Sequence, residues 1–316
     1  MDISFIIVSW NAKKYLLECL ESIESSSGGY KKEIIVVDNG SSDGSPEAVR
    51  KLFPHVKTVL NAANLGFARA NNIGIEKSSG RYLCLINSDI KLLKDCVPRL
   101  IDFMEAHPEA GMAGPMVLNP DLTLQRTCRK FPTLLRSFLT AIGLDAIYKD
   151  LAFFPHKGIE EVDILSGCFL MVRRKALEEA GLLDERFFFY AEDKDWCKRF
   201  RDCGWKVVYF PEALAIHYGG GSSANAPVRF YIEMYRANLK YWEKHHGRSS
   251  KYVFVLITIL YQIIRILKGC LLLVLIPARR GVNLHKINRS AACISSLLYP
   301  RGGTGGKADK EAGVKT

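Results

Sequence analysis

The chain has 316 residues, of which 48% are hydrophobic and 24% charged, with a formal net charge of +11. This is the balance of a globular protein with a sizeable core, and the length fits one large domain or two moderate ones. The positive excess is concentrated in residues 244–308, which contain eleven Lys and Arg and no acidic residue, whereas the remaining basic residues balance the 33 acidic ones. A neutral body with a basic, apolar C-terminal segment argues against nucleic-acid binding and favours an anionic membrane surface.

The cysteines and the first residues indicate a reduced compartment. Nine cysteines occur without a C-x-x-C pair, which argues against a zinc ribbon or a redox motif. Their odd number and irregular spacing favour free thiols in a cytosolic compartment. The opening MDISFIIVSW lacks a basic region and a cleavage site, so we interpret it as a first strand and not as a signal peptide.

Short apolar runs alternate with helical patterns in the N-terminal third. Strands are predicted at 3–9, 33–37, 57–60 and 82–86. Helices are predicted at about 12–25 and at about 67–77, and a further helix begins at Pro46 with Ser45 as its cap. Unbroken apolar strands that alternate with helices predict an α/β fold whose mostly parallel sheet is covered on both faces. Such sheets carry their sites at the C-terminal ends of the strands. Asp38 and Asn39 follow one strand, and Asn87, Ser88 and Asp89 follow another, which favours one shared site over separate turns or caps.

The second half of the chain is irregular over 117–165 and becomes regular afterwards. The later elements are a strand over 165–174, a helix closed by Gly181, a helix closed near Gly204, a strand over 205–211, a Gly-rich loop over 216–223 and a helix over 229–246. Trp196 and Phe200 lie three and seven residues after Asp193, on one helical face, so Asp193 is predicted at a helix N-terminus.

The apolar segment 252–276 is long enough to cross a bilayer. Arg265 and Lys268 lie inside it, and each would cost roughly 2.5–3.5 kcal/mol at the bilayer centre. They belong to a polar stripe at helical spacing that begins at Thr258 and includes Gln262. A helix with an apolar face and a cationic stripe lies in the membrane interface. We therefore predict a surface-embedded helix, with a span or a helix buried in the core or in a dimer interface as alternatives.

The polar strand ends meet the chemical demands of sugar transfer from a nucleotide diphosphate. A divalent cation, held by oxygen or imidazole ligands, neutralises the charge that builds on the departing phosphate. A carboxylate takes the proton from the attacking hydroxyl. Asp89 and His217 are candidates for the metal, Asp193 for the base, and the backbone amides of 219–221 for the diphosphate.

Six stretches between Ile3 and Ser223, in this order, resemble the family-2 glycosyltransferases: VSWN, IIVVDNGSSDGS, NLGFARANNIGI, YLCLINSDI, SGCFLMVRR…FFFYAEDKDWCKR and IHYGGGS. Each stretch is weak alone, and all six in order are specific. The resemblance implies a GT-A fold, inversion at the anomeric carbon and a divalent cation, Mg²⁺ or Mn²⁺. The chain looks most similar to bacterial rhamnosyltransferases of cell-wall and surface-polysaccharide assembly.

The resemblance also assigns residues to the nucleotide-sugar donor. They would be Ser9, Asn11, Asp38, Asn39, Asn64, Gly66, Arg69, Asn87 and Ser88. Asp38 would hydrogen-bond the nucleobase, and Arg69 would contact a phosphate. We expect Trp10, Trp196 and Tyr190 to be packing residues and not platforms for a sugar.

The metal and catalytic residues follow from two further motifs. The family's D-x-D motif is similar to 87–89, where the last residue is Asp and the first is Asn, and an amide binds a cation less strongly than a carboxylate. His217 matches a histidine that completes the metal site in some relatives. Glu192 and Asp193 match the catalytic ED motif, whose Asp is the general base. Taken alone, Asp193 also fits a helix cap and His217 a packed histidine.

The predicted organisation has three parts. They are a GT-A domain over 1–247 with a nucleotide half (1–116) and an acceptor half (117–247), a basic membrane-associated segment over 248–300, and a disordered tail over 301–316. The resemblance implies a dTDP-rhamnose donor and a polyprenyl-diphosphate-linked sugar as acceptor. The enzyme would then be peripheral or monotopic at the cytoplasmic face of the inner membrane.

Two alternatives stay open beside this interpretation, and the sequence argues against a third. The first is a transferase whose donor is a UDP-hexose or a galactofuranose nucleotide. The second is a non-catalytic membrane scaffold that binds a nucleotide sugar. The third, a nicotinamide-dependent dehydrogenase, needs G-x-G-x-x-G after the first strand, where 9–11 are Ser-Trp-Asn.

Overall fold

The computed structural model describes residues 1–26, 28–144, 152–219, 227–276, 278 and 280–299. The strands are β1 (Ile3–Ser9), β2 (Lys32–Asp38), β3 (Lys57–Leu60), β4 (Tyr82–Asn87), β5 (Ile90–Leu92), β6 (Ala110–Leu118), β7 (Cys128–Arg129), β8 (Glu160–Glu161), β9 (Ile164–Leu165), β10 (Phe169–Arg173) and β11 (Lys206–His217). The helices are α1 (Lys13–Ser26), α2 (Ser45–Leu52), α3 (Phe67–Glu76), α4 (Cys96–Ala106), α5 (Leu134–Ala141), α6 (Arg174–Ala180), α7 (Glu192–Asp202), α8 (Pro227–Leu275) and α9 (Arg280–Leu298).

A nine-stranded sheet in the order β3-β2-β1-β4-β10-β6-β11-β5, with β8 paired to β11, forms the centre of the molecule. The first four strands in this order are mutually parallel, as their unbroken apolar sequences predict. Because β10 is antiparallel to both β4 and β6, the second half of the sheet is mixed. The register pairs Ser9 with Asp38 and Val8 with Asn87. The polar ends of β1, β2 and β4 therefore meet at one edge.

Helices cover both faces of the sheet. Alternation along β1 places Phe5 in the core on the side of α1 and α4, and Ile6 in the core on the side of α3, α6 and α7. Trp196 on α7 is fully buried in the second of these cores, so the prediction that it is a packing residue is confirmed. All nine cysteines are free thiols, and seven of them are buried.

Three predicted element boundaries differ from the structure. α2 begins at Ser45 after Gly44, whose φ is 76°, so the prediction of Ser45 as the cap was wrong. The predicted strand over 165–174 is two strands, β9 and β10. β11 continues past Pro211 because its register to β6 shifts between Phe210 and Leu214, an irregularity that tolerates a proline.

That continuation of β11 moves His217 from the predicted Gly-rich loop to the end of a strand. Of the loop's predicted diphosphate-binding amides, only that of Gly219 belongs to the described residues, and 220 and 221 lie outside them. The predicted disordered tail, 301–316, also lies outside the described residues.

The C-terminal helices present an apolar outer face. Gly247, with φ 80° and ψ 173°, divides α8 into two helical parts. In the second part, Thr258 and Gln262 of the predicted polar stripe are buried, and Gln262 Oε1 accepts a hydrogen bond from the Tyr231 hydroxyl at 3.0 Å, whereas Lys268 of the same stripe is exposed. The exposed side is an apolar stripe that consists of Val253, Leu256, Leu260, Ile263, Leu267, Leu271 and Val274.

This helix meets the requirements of a membrane helix by length and composition. The region Val228–Leu275 has 48 residues, and its most apolar window has a mean hydropathy of 1.9 with 17% of it buried. A window so little covered by the rest of the chain contradicts the alternative of a helix buried in this chain's own core.

Candidate active site

A cavity of about 240 Å³ opens at the edge of the sheet where β1, β2 and β4 end. Seven predicted site residues line it, namely Asn39, Asn64, Gly66, Asn87, Ser88, Asp89 and His217. An aromatic wall, which consists of Trp10, Phe67, Phe188, Phe189, Tyr190 and Phe230, forms much of the remaining lining. The cavity therefore combines a polar floor with aromatic sides, the usual composition of a ligand pocket.

Asp89 and His217 meet in this cavity because β5 pairs with β11. The pairing places Ile90, the residue after Asp89, opposite His217. Asp89 Oδ1 lies 3.2 Å from His217 Nε2, and Asn87 Nδ2 lies 3.5 Å from the same nitrogen. The other ring nitrogen, His217 Nδ1, is 2.8 Å from Gln125 Oε1. A neutral imidazole that donates from Nδ1 to Gln125 keeps its Nε2 lone pair directed toward Asp89. This is the arrangement in which a second residue orients a metal-binding histidine.

The donor set fits a divalent cation that is bound partly by substrate. Among the described residues there is no group of three or more His, Cys, Asp or Glu arranged to hold a metal, and Asp89 and His217 together would supply two ligands to a cation. Mg²⁺ typically binds through one or two carboxylates together with phosphate oxygens and water. The pair leaves coordination positions for those oxygens, and the cation would supply positive charge to a diphosphate.

Two buried polar atoms without partners lie at the ends of β1 and β2. Asp38 Oδ2 accepts hydrogen bonds from the backbone N–H groups of Ser41 at 2.9 Å and Gly40 at 3.2 Å. Asp38 Oδ1 and the Ser9 hydroxyl have no partner in the described part of the chain. Because buried polar atoms are nearly always hydrogen-bonded, both atoms are candidates to bind a ligand. Ser9 and Asp38 lie beside the cavity and are not part of its lining.

Asn11 connects two loops at the same edge of the sheet. Its φ is 50°, its backbone N–H donates to Ser41 Oγ at 2.9 Å, and its side-chain Oδ1 accepts from the Ser42 N–H at 2.8 Å. These bonds tie the segment after β1 to the loop after β2. Asn11 does not line the cavity.

The loop before α3 is held by Asn39. The Asn39 amide group donates to Asn64 Oδ1 at 3.1 Å and to the Gly66 carbonyl at 3.2 Å. Its Oδ1 accepts from Asn61 Nδ2 at 3.0 Å. Because these bonds are made to other protein residues, Asn39 fixes the position of the loop that lines the cavity. Arg69 is not brought into the lining; its side chain is 57% exposed, and Nε lies 3.8 Å from Glu185 Oε2.

Asp193 lies at the N-terminus of α7, as predicted, in a dense set of hydrogen bonds. Oδ2 accepts from Arg129 Nη2 at 2.6 Å and from the Gly167 N–H at 3.3 Å. Oδ1 accepts from the N–H of Lys194 at 2.7 Å. The residue that caps α7 is Ala191, so Asp193 is not the helix cap.

Asp193 is not part of the described cavity lining, and its side chain is 12% exposed. It lies across Gly167 from the cavity: a Cβ atom on Gly167 would be 3.4 Å from Asp193 Cβ and 3.6 Å from the ring of Phe67, which lines the cavity. A side chain at Gly167 would therefore contact both Asp193 and the cavity wall.

Asp89 and Asp193 both influence the pKa of the buried Cys168 thiol. Burial is the main cause that raises the pKa of the Cys168 thiol to about 11, and the charges of Asp89 and Asp193 both add to this rise. A carboxylate influences a neighbouring pKa in this way only at short range. The Cys168 carbonyl also accepts the Asn87 N–H at 3.0 Å. The two carboxylates therefore belong to one electrostatic neighbourhood.

Comparison with known proteins agrees with this arrangement. The sequence model described as "Glycosyl transferase family 2" matches residues 4–181, more than half of the chain. The chain belongs to glycosyl transferase family 2. It is therefore a glycosyltransferase, and the predicted family is confirmed.

Two relatives and one solved structure are similar over most of this glycosyltransferase. The N-acetylglucosaminyl-diphospho-decaprenol L-rhamnosyltransferase of Mycobacterium tuberculosis is 28% identical over 233 residues, 68% of this chain and 75% of the relative. Rhamnosyltransferase WbbL of Escherichia coli K12 is 27% identical over 253 residues, 74% of this chain and 89% of the relative. The mannosyltransferase PcManGT from Pyrobaculum calidifontis, solved in complex with GDP-Man and Mn²⁺, has a TM-score of 0.56 at 15% identity and covers 95% of this chain and 87% of its own. This last similarity confirms the predicted GT-A fold.

The other residue of the predicted ED motif, Glu192, differs from Asp193 in its electrostatic surroundings. Burial, followed by the charge of Asp193, raises the pKa of Glu192 to about 8, and Oε2 has no partner within the described residues. The raised pKa favours the protonated form of Glu192 at neutral pH. Lys194 lies on the other side of Asp193; burial is the main cause that lowers its pKa to about 7, and its Nζ donates to Asn238 Oδ1 at 2.5 Å.

The sequence predictions for this glycosyltransferase missed several site residues. Trp10 and Tyr190 were expected only to pack, yet both line the cavity. The run of aromatic residues at 187–190, directly before the ED motif, was the available signal. Arg129 and Gln125 lie in the irregular stretch after β6, where no pattern in a single sequence marks them. Their roles follow from tertiary folding.

Proposed function

We propose that this glycosyltransferase transfers L-rhamnose from dTDP-rhamnose to a polyprenyl-diphosphate-linked N-acetylglucosamine, with inversion and with a divalent cation. The Asp89–His217 pair, 3.2 Å apart in the cavity at the strand ends, carries the proposal. The names of the Mycobacterium tuberculosis and Escherichia coli relatives support the sugar and the lipid-linked acceptor.

The donor would extend from the cavity to the ends of β1 and β2. The cavity, about 240 Å³, is smaller than the ~300–1,000 Å³ of typical ligand pockets, so the nucleobase lies outside it. The unpartnered Asp38 Oδ1 and Ser9 hydroxyl support a base site there, beside Asn11. Arg69 is exposed and only loosely held by Glu185 at 3.8 Å. A pair of this kind contributes little, which leaves the guanidinium available for a phosphate.

Asp89 and His217 would hold Mg²⁺ or Mn²⁺, with Asn87 and Ser88 beside them. When bound, the cation neutralises the charge on the departing nucleoside diphosphate. The Mn²⁺ in the Pyrobaculum calidifontis complex supports a divalent cation. Gln125 keeps His217 in the tautomer that leaves Nε2 available, so we assign it a positioning role.

Asp193 would be the general base. Oδ2 accepts from Arg129 and Gly167, whereas the backbone N–H of Lys194 is the one described donor to Oδ1. Since a carboxylate oxygen accepts two hydrogen bonds, Oδ1 has a position for the proton of the acceptor hydroxyl. Removal of that proton as the hydroxyl attacks the anomeric carbon gives inversion in a single displacement.

The apolar stripe of α8 would attach the enzyme to the membrane. A lipid-linked acceptor requires the active site to work at a bilayer surface, and the exposed face of α8 consists of large apolar side chains. We keep the predicted division into a catalytic domain over 1–247 and a membrane-associated segment over 248–300. The kink at Gly247 supports this boundary.

Thermal shift with nucleotide sugars tests the donor site. We expect dTDP-rhamnose with Mg²⁺ to raise the melting temperature of wild type more than UDP- or GDP-sugars, because a ligand bound only by the folded state stabilises it, by about 2.7 kcal/mol at a hundred times Kd. Asp89→Asn and His217→Gln should lose the part of the shift that depends on Mg²⁺. The control Asp202→Asn removes an exposed carboxylate on α7 that pairs with Lys198, and it should behave as wild type.

The proposal is contradicted if no nucleotide sugar stabilises the protein with metal present, or if both metal-site variants keep the full shift. Stabilisation without transfer to any acceptor would favour the alternative of a non-catalytic scaffold.

A further inference from the structure

Two consecutive residues directly before α7 have left-handed backbone conformations. Tyr190 has φ 69° and Ala191 has φ 66°. Residues other than glycine adopt positive φ only rarely, and for a bulky residue such a value is a genuine outlier. Strain of this kind persists only where the surrounding structure holds the backbone in place, and it occurs mainly at functional sites. The turn before α7 is therefore a candidate for a functional role.

Aromatic and backbone contacts hold this turn. The Tyr190 ring packs edge-to-face against Phe189, with 4.6 Å between the ring centres, and against Phe230 of α8, with 6.4 Å. Ala191 is buried, and its carbonyl accepts the N–H of Asp195 at 2.9 Å. These contacts fix the position of Tyr190 relative to the first turn of α7, which carries the proposed base.

Tyr190 brings an unused hydroxyl to the cavity at the strand ends, which we call the donor cavity. The residue lines this cavity together with Asp89 and His217. Its hydroxyl forms no hydrogen bond with any of the described residues. Burial is the main cause that raises the pKa of Tyr190, so the hydroxyl stays protonated and can both donate and accept. Tyr190 therefore offers a ring and a hydrogen-bonding group to a ligand.

The position of Tyr190 suits contact with the sugar that is transferred. The Asp89–His217 pair would hold the diphosphate through the cation, and Tyr190 precedes Asp193, the proposed base, by three residues. The acceptor hydroxyl must attack the anomeric carbon opposite the departing diphosphate, so the sugar lies between the cation and the base. A sugar ring presents hydroxyls at its edge and C–H groups on its faces, which match the hydroxyl and the ring of a tyrosine.

We propose that Tyr190 binds the transferred sugar, with its hydroxyl hydrogen-bonded to a hydroxyl of that sugar. This inference rests on the proposed function, and it gives Tyr190 a role beyond the packing expected from the sequence. The left-handed backbone would hold the phenol at a fixed place three residues before the base. Orientation of this kind brings the anomeric carbon into line for attack.

Isothermal titration with dTDP and with dTDP-rhamnose, each with Mg²⁺, tests the contact because dTDP lacks the sugar. For Tyr190→Phe we expect the Kd of dTDP-rhamnose to rise roughly three- to tenfold, since one neutral hydrogen bond is lost. The Kd of dTDP should stay at the wild-type value. Tyr209→Phe is the matched control: its hydroxyl also has no described partner, but it is buried in a core and does not line the donor cavity. Both Kd values should be unchanged in this control.

A glycine and an alanine variant at position 190 test the strain separately. Tyr190→Gly and Tyr190→Ala both lose the ring, and they differ in the freedom of the backbone. Glycine is the less strained residue at positive φ, so Tyr190→Gly should melt at a higher temperature than Tyr190→Ala. At Tyr252, an exposed residue in the second part of α8, the order should be reversed, because glycine destabilises a helix interior relative to alanine.

Four outcomes would overturn the role assigned to Tyr190. They are an unchanged Kd of dTDP-rhamnose in Tyr190→Phe, an equal rise in the Kd of dTDP, a melting temperature of Tyr190→Gly below that of Tyr190→Ala, and an effect confined to the KM of the acceptor. The last would assign Tyr190 to the acceptor sugar. If wild type binds neither dTDP nor dTDP-rhamnose, the proposed function itself fails and the role of Tyr190 with it.

Discussion

Glu192 and Asp193 are adjacent carboxyl groups in different electrostatic surroundings. Asp193 accepts three hydrogen bonds, one of them from the guanidinium of Arg129. Glu192 is buried, its Oε2 has no described partner, and its pKa is raised to about 8. Adjacent groups with such different environments usually divide the acid and base roles. We therefore assign the base role to Asp193 and treat Glu192 as a neutral neighbour. The sequence motif alone does not distinguish these two roles.

This assignment predicts the pH dependence of stability. The folded-state pKa of Glu192, about 8, is above its ordinary value of 4.5, so its stabilising contribution is complete below pH 4.5 and is lost as the pH rises through 8. Glu192→Gln cannot ionise. Its melting temperature should therefore rise relative to wild type between pH 6 and pH 9, on the order of 1 kcal/mol or more in unfolding free energy.

Differential scanning fluorimetry of the two proteins across this range measures the difference. Lys194, whose pKa is lowered to about 7, changes stability with pH in the opposite sense. Lys194 is present in both proteins, and the charge of Glu192 is one of the smaller contributions to its pKa, so the effect of Lys194 largely cancels in the difference. A difference that stays constant from pH 6 to pH 9 would contradict a buried, protonated Glu192.

At the same scale, the sequence singled out Asp89, Asp193 and His217 as candidate site residues and missed their partners. These candidates were found because motif residues occur in a fixed order along the chain. Gln125 contacts His217 and Arg129 contacts Asp193 from an irregular stretch, at sequence separations of 92 and 64 residues. Contacts over such distances are set by folding and leave no local pattern.

The loop before α3 depends on one glycine at its last position. Gly66 has φ 87°, and a Cβ atom there would lie 2.5 Å from the Phe188 carbonyl oxygen. That carbonyl also accepts the Phe67 N–H at 2.7 Å. The loop and the aromatic wall are thus joined at a point where only a glycine fits.

Gly66→Ala should therefore lower the free energy of unfolding by about 1–3 kcal/mol and weaken donor binding, because the cavity wall must move. Gly158→Ala is the matched control, since a Cβ atom there would meet nothing within 4 Å, and its effect should stay within about 0.5 kcal/mol. Urea denaturation and the dTDP-rhamnose thermal shift measure the two effects. Equal stabilities of the two variants would contradict this account of the loop.

The elements of the first half were predictable from periodicity, and those of the second half only in part. β1 has the predicted bounds, because a buried parallel strand gives a continuous apolar run. β3 also has the predicted bounds, although it is a short edge strand with exposed ends. β11 was predicted to end at Pro211, but the register shift beside it lets the strand continue to His217. A proline is a strong stop signal in sequence, and a bulge that accommodates it is a tertiary feature.

For the whole molecule, the distribution of polarity over the second part of α8 predicts an orientation toward a membrane. Thr258 and Gln262 of the polar stripe face the protein, Lys268 is exposed, and the exposed side carries the apolar stripe. The sequence predicted an amphipathic helix and located its polar stripe. It did not reveal that the first part of this stripe would be covered by the protein, since helical periodicity defines two faces and not which one is buried.

Leu256→Glu/Leu260→Glu/Ile263→Glu tests this orientation in the full chain. Because all three side chains are exposed, we expect folding to persist and binding to anionic vesicles to fall strongly, since each apolar side chain contributes about 1.5–3 kcal/mol when buried in hydrocarbon. Vesicle co-sedimentation measures the bound fraction. Leu52→Glu/Leu60→Glu, two exposed leucines on α2 and β3, is the control. Wild-type binding by the triple variant would show that another surface attaches the protein.

The central claim joins the donor cavity, the metal pair and Asp193 in one reaction. Its most direct test is the transfer of radiolabelled rhamnose from dTDP-rhamnose to N-acetylglucosamine on a short isoprenyl diphosphate, by wild type and by Asp193→Asn. The account predicts that kcat falls by at least about 100-fold, the usual contribution of a general base, while the donor-induced thermal shift stays at the wild-type level. An Asp193→Asn variant that keeps a wild-type kcat would contradict it.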